Sequence, residues 1–155
     1  MEVVFLDEMP EAIEALAPAF WAEWGERDGL TLEDVRRRVA ACMQRDRLPL
    51  ALVVREGSRV MGTVSLLDRP VVGREGLGPW LGALWVQPGQ RGRGLGRTLI
   101  AAAERTAADL GIGELYALTS TAVQLFRAAG WSEVERIEDQ REELTLFRWT
   151  LPRGS

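Results

Sequence analysis

The sequence predicts an α/β fold of the mixed α+β kind, formed as one domain over residues 1–153. Three observations carry this. Four segments repeat apolar residues at helical spacing, and seven short runs rich in β-branched, aromatic and other apolar residues lie between them. Taken in order, the segments read β-α-α-β-β-β-α-β-α-β-β. At 155 residues the chain has the length of one domain, able to bury about 70% of its unfolded surface, and no repeat, low-complexity tract or Pro/Ser-rich stretch divides it. Residues 154–155 are set aside as a possible cloning remnant.

Val3 to Leu6 forms the first strand. A helix follows from about Pro10, with Ile13, Leu16, Ala17, Phe20, Trp21 and Trp24 recurring on one face. Pro10 suits a first turn, whereas Pro18 lies inside the pattern, removes a backbone hydrogen bond and should kink or split the helix. Gly25 to Leu30 reads as a loop. Thr31-Leu32-Glu33-Asp34 then opens a second helix in the manner of a capping box, reaching about Asp46 with Val35, Val39, Cys42 and Met43 on its apolar side. Pro49 to Arg55 and Arg59 to Leu67 are strands joined as a hairpin through Glu56-Gly57-Ser58. The loop from Asp68 to Gly78 is long enough to border a site.

Trp80 to Val86 is apolar throughout and reads as a central strand covered on both faces. The helix beyond it places Leu95, Leu99, Ile100, Ala103, Ala107 and Leu110 on one face and ends near Gly111. A short strand, Glu114 to Thr119, precedes a helix from Thr121 to Ala129 closed by Gly130. Strands Trp131 to Ile137 and Leu144 to Thr150 end the fold, joined by the charged loop Glu138 to Glu143.

The segment between the apolar strand and the third helix carries the chemistry. Val86-Gln87-Pro88-Gly89-Gln90-Arg91-Gly92-Arg93-Gly94-Leu95-Gly96-Arg97 is an Arg/Gly-rich loop that runs directly into a helix start. Glycines allow backbone N–H groups to turn toward an anion, the first turn of a helix adds unpaired N–H donors and the positive end of its dipole, and arginines add charge. The ligand should carry at least a pyrophosphate. Neither a Walker A loop nor the G-x-G-x-x-G dinucleotide fingerprint fits, because Arg91 and Arg97 stand where the first needs a glycine and a lysine, and the glycines fall at 92, 94 and 96.

Arg91, Gly94 and Gly96, after Val86 and Pro88, resemble the R-x-x-G-x-G acyl-coenzyme A loop of the GNAT superfamily of N-acyltransferases. The element order resembles that family's over nearly the full chain. The resemblance implies a mostly antiparallel seven-stranded sheet flanked by four helices and splayed between its fourth and fifth strands. It implies that the backbone of Leu84, Trp85 and Val86 holds the pantetheine arm and polarises the thioester carbonyl, while Arg91, Gly92, Arg93, Gly94, Leu95, Gly96 and Arg97 surround the pyrophosphate. A second stretch, Ala122-Val123-Gln124-Leu125-Phe126-Arg127-Ala128-Ala129-Gly130-Trp131, resembles the family's A-x-x-L-Y-x-x-x-G-F pattern. Phe126, there a further cofactor contact, stands where the family often has a tyrosine that protonates the departing thiolate.

By this resemblance the protein is an N-acetyltransferase. It would move an acetyl group from acetyl-CoA, its co-substrate, to a primary amine of a small molecule or peptide by direct attack in a ternary complex, as a monomer or homodimer. The alternative is a module that binds or senses acyl-CoA without catalysis, favoured by the missing tyrosine and by the lack of a carboxylate on the fourth strand or at Ala117-Leu118 of the fifth. A water relay to Glu75, Asp68 or another acid would have to remove the amine proton. Tyr116, the sole tyrosine, is a fallback acid or a packed strand residue. Trp21 and Trp24 lie where the family's first two helices frame the acceptor, and fit a core stripe, an interface or a pocket wall.

Composition closes off other chemistries. The chain has no histidine, which excludes Ser-His-Asp triads, a histidine base and most zinc sites, so no metal is expected. The lone cysteine, Cys42, cannot form an internal disulfide and reads as a small core residue in a reducing compartment. A net charge of −4 opposes nucleic-acid binding and favours long-range attraction of cationic amines. On the second helix, Arg36, Arg37 and Arg38 face solvent. The N-terminus is not a signal peptide, and no apolar run approaches a membrane span, so a cytoplasmic location without membrane contact is expected.

Overall fold

A computed structural model describes residues 1–138 and 142–152. Its centre is one seven-stranded sheet formed by β1 (Glu2–Phe5), β2 (Leu50–Glu56), β3 (Arg59–Leu67), β4 (Trp80–Val86), β5 (Glu114–Thr119), β6 (Ser132–Glu138) and β7 (Glu143–Thr150), in the order β1-β2-β3-β4-β5-β7-β6. All neighbours are antiparallel except β4 and β5. Helices α1 (Ile13–Phe20) and α2 (Leu32–Ala40) cover one face, and α3 (Leu95–Asp109) and α4 (Val123–Ala128) the other.

The period of two along β2 explains the layering. Leu50, Leu52 and Val54 join Leu99, Ile100 and Ala103 beneath α3, while the alternate residues Ala51 and Val53 join Leu16, Phe20 and Val35 beneath α1 and α2. β2 is therefore buried on both faces, as is most of β3. In β4 only Trp80 and Leu81 are buried, and Gly82 to Val86 are half-exposed, which corrects the expectation of a fully covered β4. The physical reason is the separation of β4 from β5 beyond its first residue. No helix among the described residues is long and apolar enough to cross a membrane.

Several helix ends differ from the sequence reading. A 3-10 turn, Pro10–Ala12, precedes α1, and Pro18 does not split the helix. Instead α1 runs through Pro18 and widens into a π-helical turn over Trp21–Gly25, where Glu26 N–H donates to Trp21 C=O at 2.8 Å. The capping box of α2 forms as read, with Asp34 N–H on Thr31 Oγ1 and Thr31 N–H on Asp34 Oδ2, both at 3.0 Å. The helix stops at Ala40 rather than near Asp46, because the Cys42 carbonyl is taken by Ala51 N–H as the chain turns toward β2. Cys42 is buried just past the helix end, and Met43 is exposed rather than inward. In α4 the start moves from Thr121 to Val123, since Ala122 N–H is held by Thr119 Oγ1 at 2.9 Å. The expected loop Glu138 to Glu143 includes residues 139–141, which lie outside the described residues, as do 154–155.

Candidate active site

Between β4 and β5 the ladder holds one registered pair, Trp80 with Tyr116, reinforced by Tyr116 N–H on Pro79 C=O at 3.0 Å. Past that pair the strands diverge and leave a cleft of about 820 Å³. Its walls are the half-exposed end of β4, Ala117 to Thr119 of β5, the loop into α3, the first turn of α4, and Glu23, Trp24 and Arg27 from the turn that ends α1. The volume falls within the range of ligand pockets, about 300–1,000 Å³.

On the β4 wall the ladder to β3 is broken by a bulge. Thr63 pairs with Trp85 and Ser65 with Gly82, so Val64 alone faces both Ala83 and Leu84. Ala83 adopts φ +49°, in the left-handed region that costs a non-glycine residue about 1–2 kcal/mol. The bulge withdraws backbone polar groups from the ladder where β4 borders the cleft. Nothing in the composition of Trp-Leu-Gly-Ala-Leu-Trp-Val marks it, and the sequence reading missed it.

At the far end lies the Arg/Gly loop. Gly92 and Gly94 have φ of +84° and +78°, with open space where a Cβ would stand. Gly94 caps α3 without any side-chain hydrogen bond, so the first N–H groups of the helix face outward unclaimed by a capping side chain. Gly96 has a different reason to be glycine: a Cβ there would lie 2.7 Å from Leu125 Cδ2, so its absence lets α3 approach α4. Arg91 donates from Nε to the Val86 carbonyl at 3.1 Å and ties the loop to the end of β4. Arg93 donates to Gln90 Oε1 and is not part of the cleft lining. Arg27, Arg91 and Arg97 do line the cleft, and none of them forms a salt bridge among the described residues.

The structure brings most of the residues proposed from the sequence into this one cleft: Leu84, Trp85, Val86, Arg91, Gly92, Gly94, Leu95, Gly96, Arg97 and Phe126 all line it. Phe126 is also a core residue, stacked on Phe147 at 5.4 Å and edge-on to Trp131 at 4.9 Å between ring centroids. Trp24 lines the cleft and is held against Phe20, which in turn meets Trp85 on the same face of the sheet. Trp21 turns away and donates from Nε1 to the Leu30 carbonyl at 2.9 Å, closing the loop after the π turn.

Tyr116 lies outside the lining. It belongs to the last paired position before the strands part, where it packs on Trp80 at 5.7 Å and is buried, so its role as a fallback acid is not supported by its placement. Asp68 and Glu75 are likewise outside. The Glu75 carboxylate accepts from Gly73 N–H at 2.9 Å, and that hydrogen bond holds its pKa below the usual carboxylate range. The acids that do line the cleft are Glu23 and Glu142, which sequence reasoning did not single out. Glu23 could have been found one residue before Trp24, on a helix already placed near the acceptor. Glu142 sits in a loop whose path the sequence does not specify. Among the described residues no group of three or more His, Cys, Asp or Glu side chains could hold a metal ion.

The sheet thus splays beside a bulged strand, with a glycine-rich loop and an uncapped helix start lining the same gap. The chain belongs to the GNAT acetyltransferase family, whose family model matches residues 12–131. No curated protein matches the sequence. Among solved structures, an aminoglycoside 6'-N-acetyltransferase complexed with coenzyme A is similar at a TM-score of 0.79 and 15% identity, with 100% of both chains covered. The ribosomal-protein-alanine N-acetyltransferase of Brucella melitensis gives 0.71 and 23%, covering 97% of this chain and 100% of that one. A putative acetyltransferase of Salmonella typhimurium, yncA, solved with its cofactor acetyl-CoA, gives 0.66 and 18%, covering 100% and 96%. At these identities the likeness is one of fold.

Proposed function

We propose that this protein transfers the acetyl group of acetyl-CoA to a primary amine of a small molecule, by direct attack within a ternary complex. The observation that carries the reading is the coincidence, in one cleft, of the β4 bulge with the uncapped start of α3. Coenzyme A is a pyrophosphate joined to an extended amide arm. The N–H groups of Gly92 to Arg97, with Arg91 and Arg97, take the pyrophosphate, and each hydrogen bond to its charged oxygens contributes about 1.5–3 kcal/mol. The arm runs along Val86, Trp85 and Leu84 as an added strand would.

This register brings the thioester to the bulge, where backbone N–H groups freed from the ladder stabilise the oxyanion of the tetrahedral intermediate. The amine needs a proton acceptor. Glu23 and Glu142 are the carboxylates of the cleft, and a water bridging either one to the nitrogen would remove the proton. Phe126 has no proton to give, so the coenzyme A thiolate is protonated by solvent. Aminoglycoside and ribosomal-protein-alanine acetyltransferases share the fold, which supports amine acylation and leaves the acceptor to be read from this chain's own residues.

Two measurements test the reading. Calorimetry should show acetyl-CoA binding to the free protein, and thiol release from acetyl-CoA should depend on an added amine. Absence of binding at millimolar acetyl-CoA rejects the site. Binding without thiol release from any amine would make the protein an acyl-CoA binding module instead.

A further inference from the structure

On the face of the sheet covered by α1 and α2 lies a second cavity, of about 150 Å³. It touches the cleft: Trp24 and Ala83 line both. Ala83 is the strained residue of the β4 bulge, so one of the two residues shared by these spaces stands beside the oxyanion donors of the proposed reaction. The walls are mostly apolar, from Leu16, Phe20, Val35, Val39 and Leu67, with the buried hydroxyls of Thr63 and Ser65 behind them. Cys42 completes the wall. Burial pushes its thiol up, which keeps it neutral and makes it a packing surface rather than a nucleophile.

The charged residues of this lining are Asp28, Arg38 and Arg69. Arg36 and Arg37, on the same helix as Arg38, are paired with Glu14, Glu33 and Asp34. Arg38 and Arg69 form no salt bridge among the described residues. Two exposed guanidinium groups therefore stand at the rim of a small apolar cavity, with one carboxylate between their charges and neutrality.

We infer that this cavity receives the body of the acceptor, and that the acceptor is a compact amino-carboxylate with an apolar side chain or methylene body. The inference rests on the proposed acetyltransferase reading and names its substrate class. Its grounds are position, size and charge. An amine placed at the bulge has its remaining atoms directed past Ala83 into the second cavity. At 150 Å³ against the 820 Å³ of the cleft, that cavity holds one side-chain-sized group and has no room for several sugar rings. Arg38 and Arg69 attract a carboxylate, and Asp28 complements the ammonium that an amino acid carries on arrival. The net charge of −4 acts on long-range approach, whereas these rim charges select among the molecules that arrive.

The experiment titrates the CoA-saturated protein by calorimetry with leucine, phenylalanine, 4-aminobutyrate, 6-aminohexanoate, the methyl ester of each, and kanamycin. Thiol release from acetyl-CoA is measured on the same panel. At least one amino acid should bind ten times or more tightly than its ester. The double variant Arg38→Gln/Arg69→Gln should bring that ratio to within threefold of one, Arg69→Lys should retain most of it, and acetyl-CoA affinity should stay within twofold of native in both. An acid-to-ester ratio near one in the native protein, tighter binding of kanamycin than of every amino acid, or no binding by any of the panel overturns the inference. Thiol release that does not discriminate acids from esters leaves the acetyltransferase reading standing and removes the substrate class. Tight amino-acid binding without thiol release does the reverse.

Discussion

The stretch Leu50 to Val54 of β2 and the strand β4 are equally apolar parts of the same sheet with opposite fates. Leu50-Ala51-Leu52-Val53-Val54 is buried throughout, with α3 on one side and α1 and α2 on the other. Gly82-Ala83-Leu84-Trp85-Val86 has the same hydrophobic character and remains half-exposed. The difference lies in the neighbours. β2 pairs with β3 from Leu50 to Glu56 and with β1 from Leu52 to Arg55, whereas β4 keeps β3 but meets β5 at a single registered position. An apolar strand left open beside a diverging one is surface prepared for another molecule, in the proposed function the arm and acyl group of a thioester.

If that contrast is right, equal truncations should have unequal results. Leu52→Ala removes a side chain locked between β2 and α3, and should lower the free energy of unfolding by about 2–5 kcal/mol, read from urea titration. Leu84→Ala removes a side chain with solvent on one side and should cost about 1 kcal/mol or less. Its larger effect should be on acetyl-CoA affinity. A similar loss of stability in the two variants would mean that β4 is core and that the cleft is closed in solution.

The next largest effect separates two glycines that look alike in the motif. Gly94→Val places a β-branched residue at φ +78° beside the uncapped helix start, and should weaken acetyl-CoA binding by a hundredfold or more with the fold retained by circular dichroism. Gly96→Val meets Leu125 instead, so it should lower the melting temperature by separating α3 from α4. Gly94→Val also carries backbone strain at its positive φ, so the two are told apart by affinity, and an equal loss of acetyl-CoA binding in both would erase this distinction.

Ala83 offers a smaller and opposite result. Glycine accepts φ +49° without the Cβ clash, so Ala83→Gly should raise stability by up to about 1–2 kcal/mol, less whatever the more flexible unfolded chain returns. Unfolding at a lower urea concentration than the native protein would show that the bulge is not strained in solution.

How much of this was legible in the sequence follows the same contrast. The loop from Arg91 to Gly96 was readable because glycines and arginines at fixed spacing before a helix have few other uses, and the element order was readable because alternating periods of two and nearly four survive any packing. Helix ends were not, since Ala40 and Val123 are set by the hydrogen bonds of Ala51 N–H on Cys42 C=O and of Ala122 N–H on Thr119 Oγ1, tertiary and turn contacts that no local propensity specifies. The bulge at Ala83 was invisible for the same reason: its cause is the offset between β3 and β4, and alanine carries no mark of a positive φ. Tyr116 and the acids show the limit at the site itself. A strand position fixes which residues share a face, but where two strands part decides whether a side chain enters the cleft, and Tyr116 falls one step before that point.

The smallest expected effect is at Phe126, on the opposite wall from Leu84. The ring is held by Phe147 and Trp131, so Phe126→Tyr adds one oxygen to a side chain whose position is already fixed. If a hydroxyl here were indispensable as an acid, the native protein would be inert. Coenzyme A leaves as a thiolate that water can protonate after the bond has broken, so the native chain should turn over, and the added hydroxyl should change kcat by less than about tenfold, equivalent to about 1.4 kcal/mol in the barrier. Acetyl-CoA affinity measured in parallel separates an effect on chemistry from one on packing. A rise of a hundredfold at unchanged affinity would show that the native site lacks its acid, and would turn the half-exposed strand β4 from a catalytic wall into a binding one.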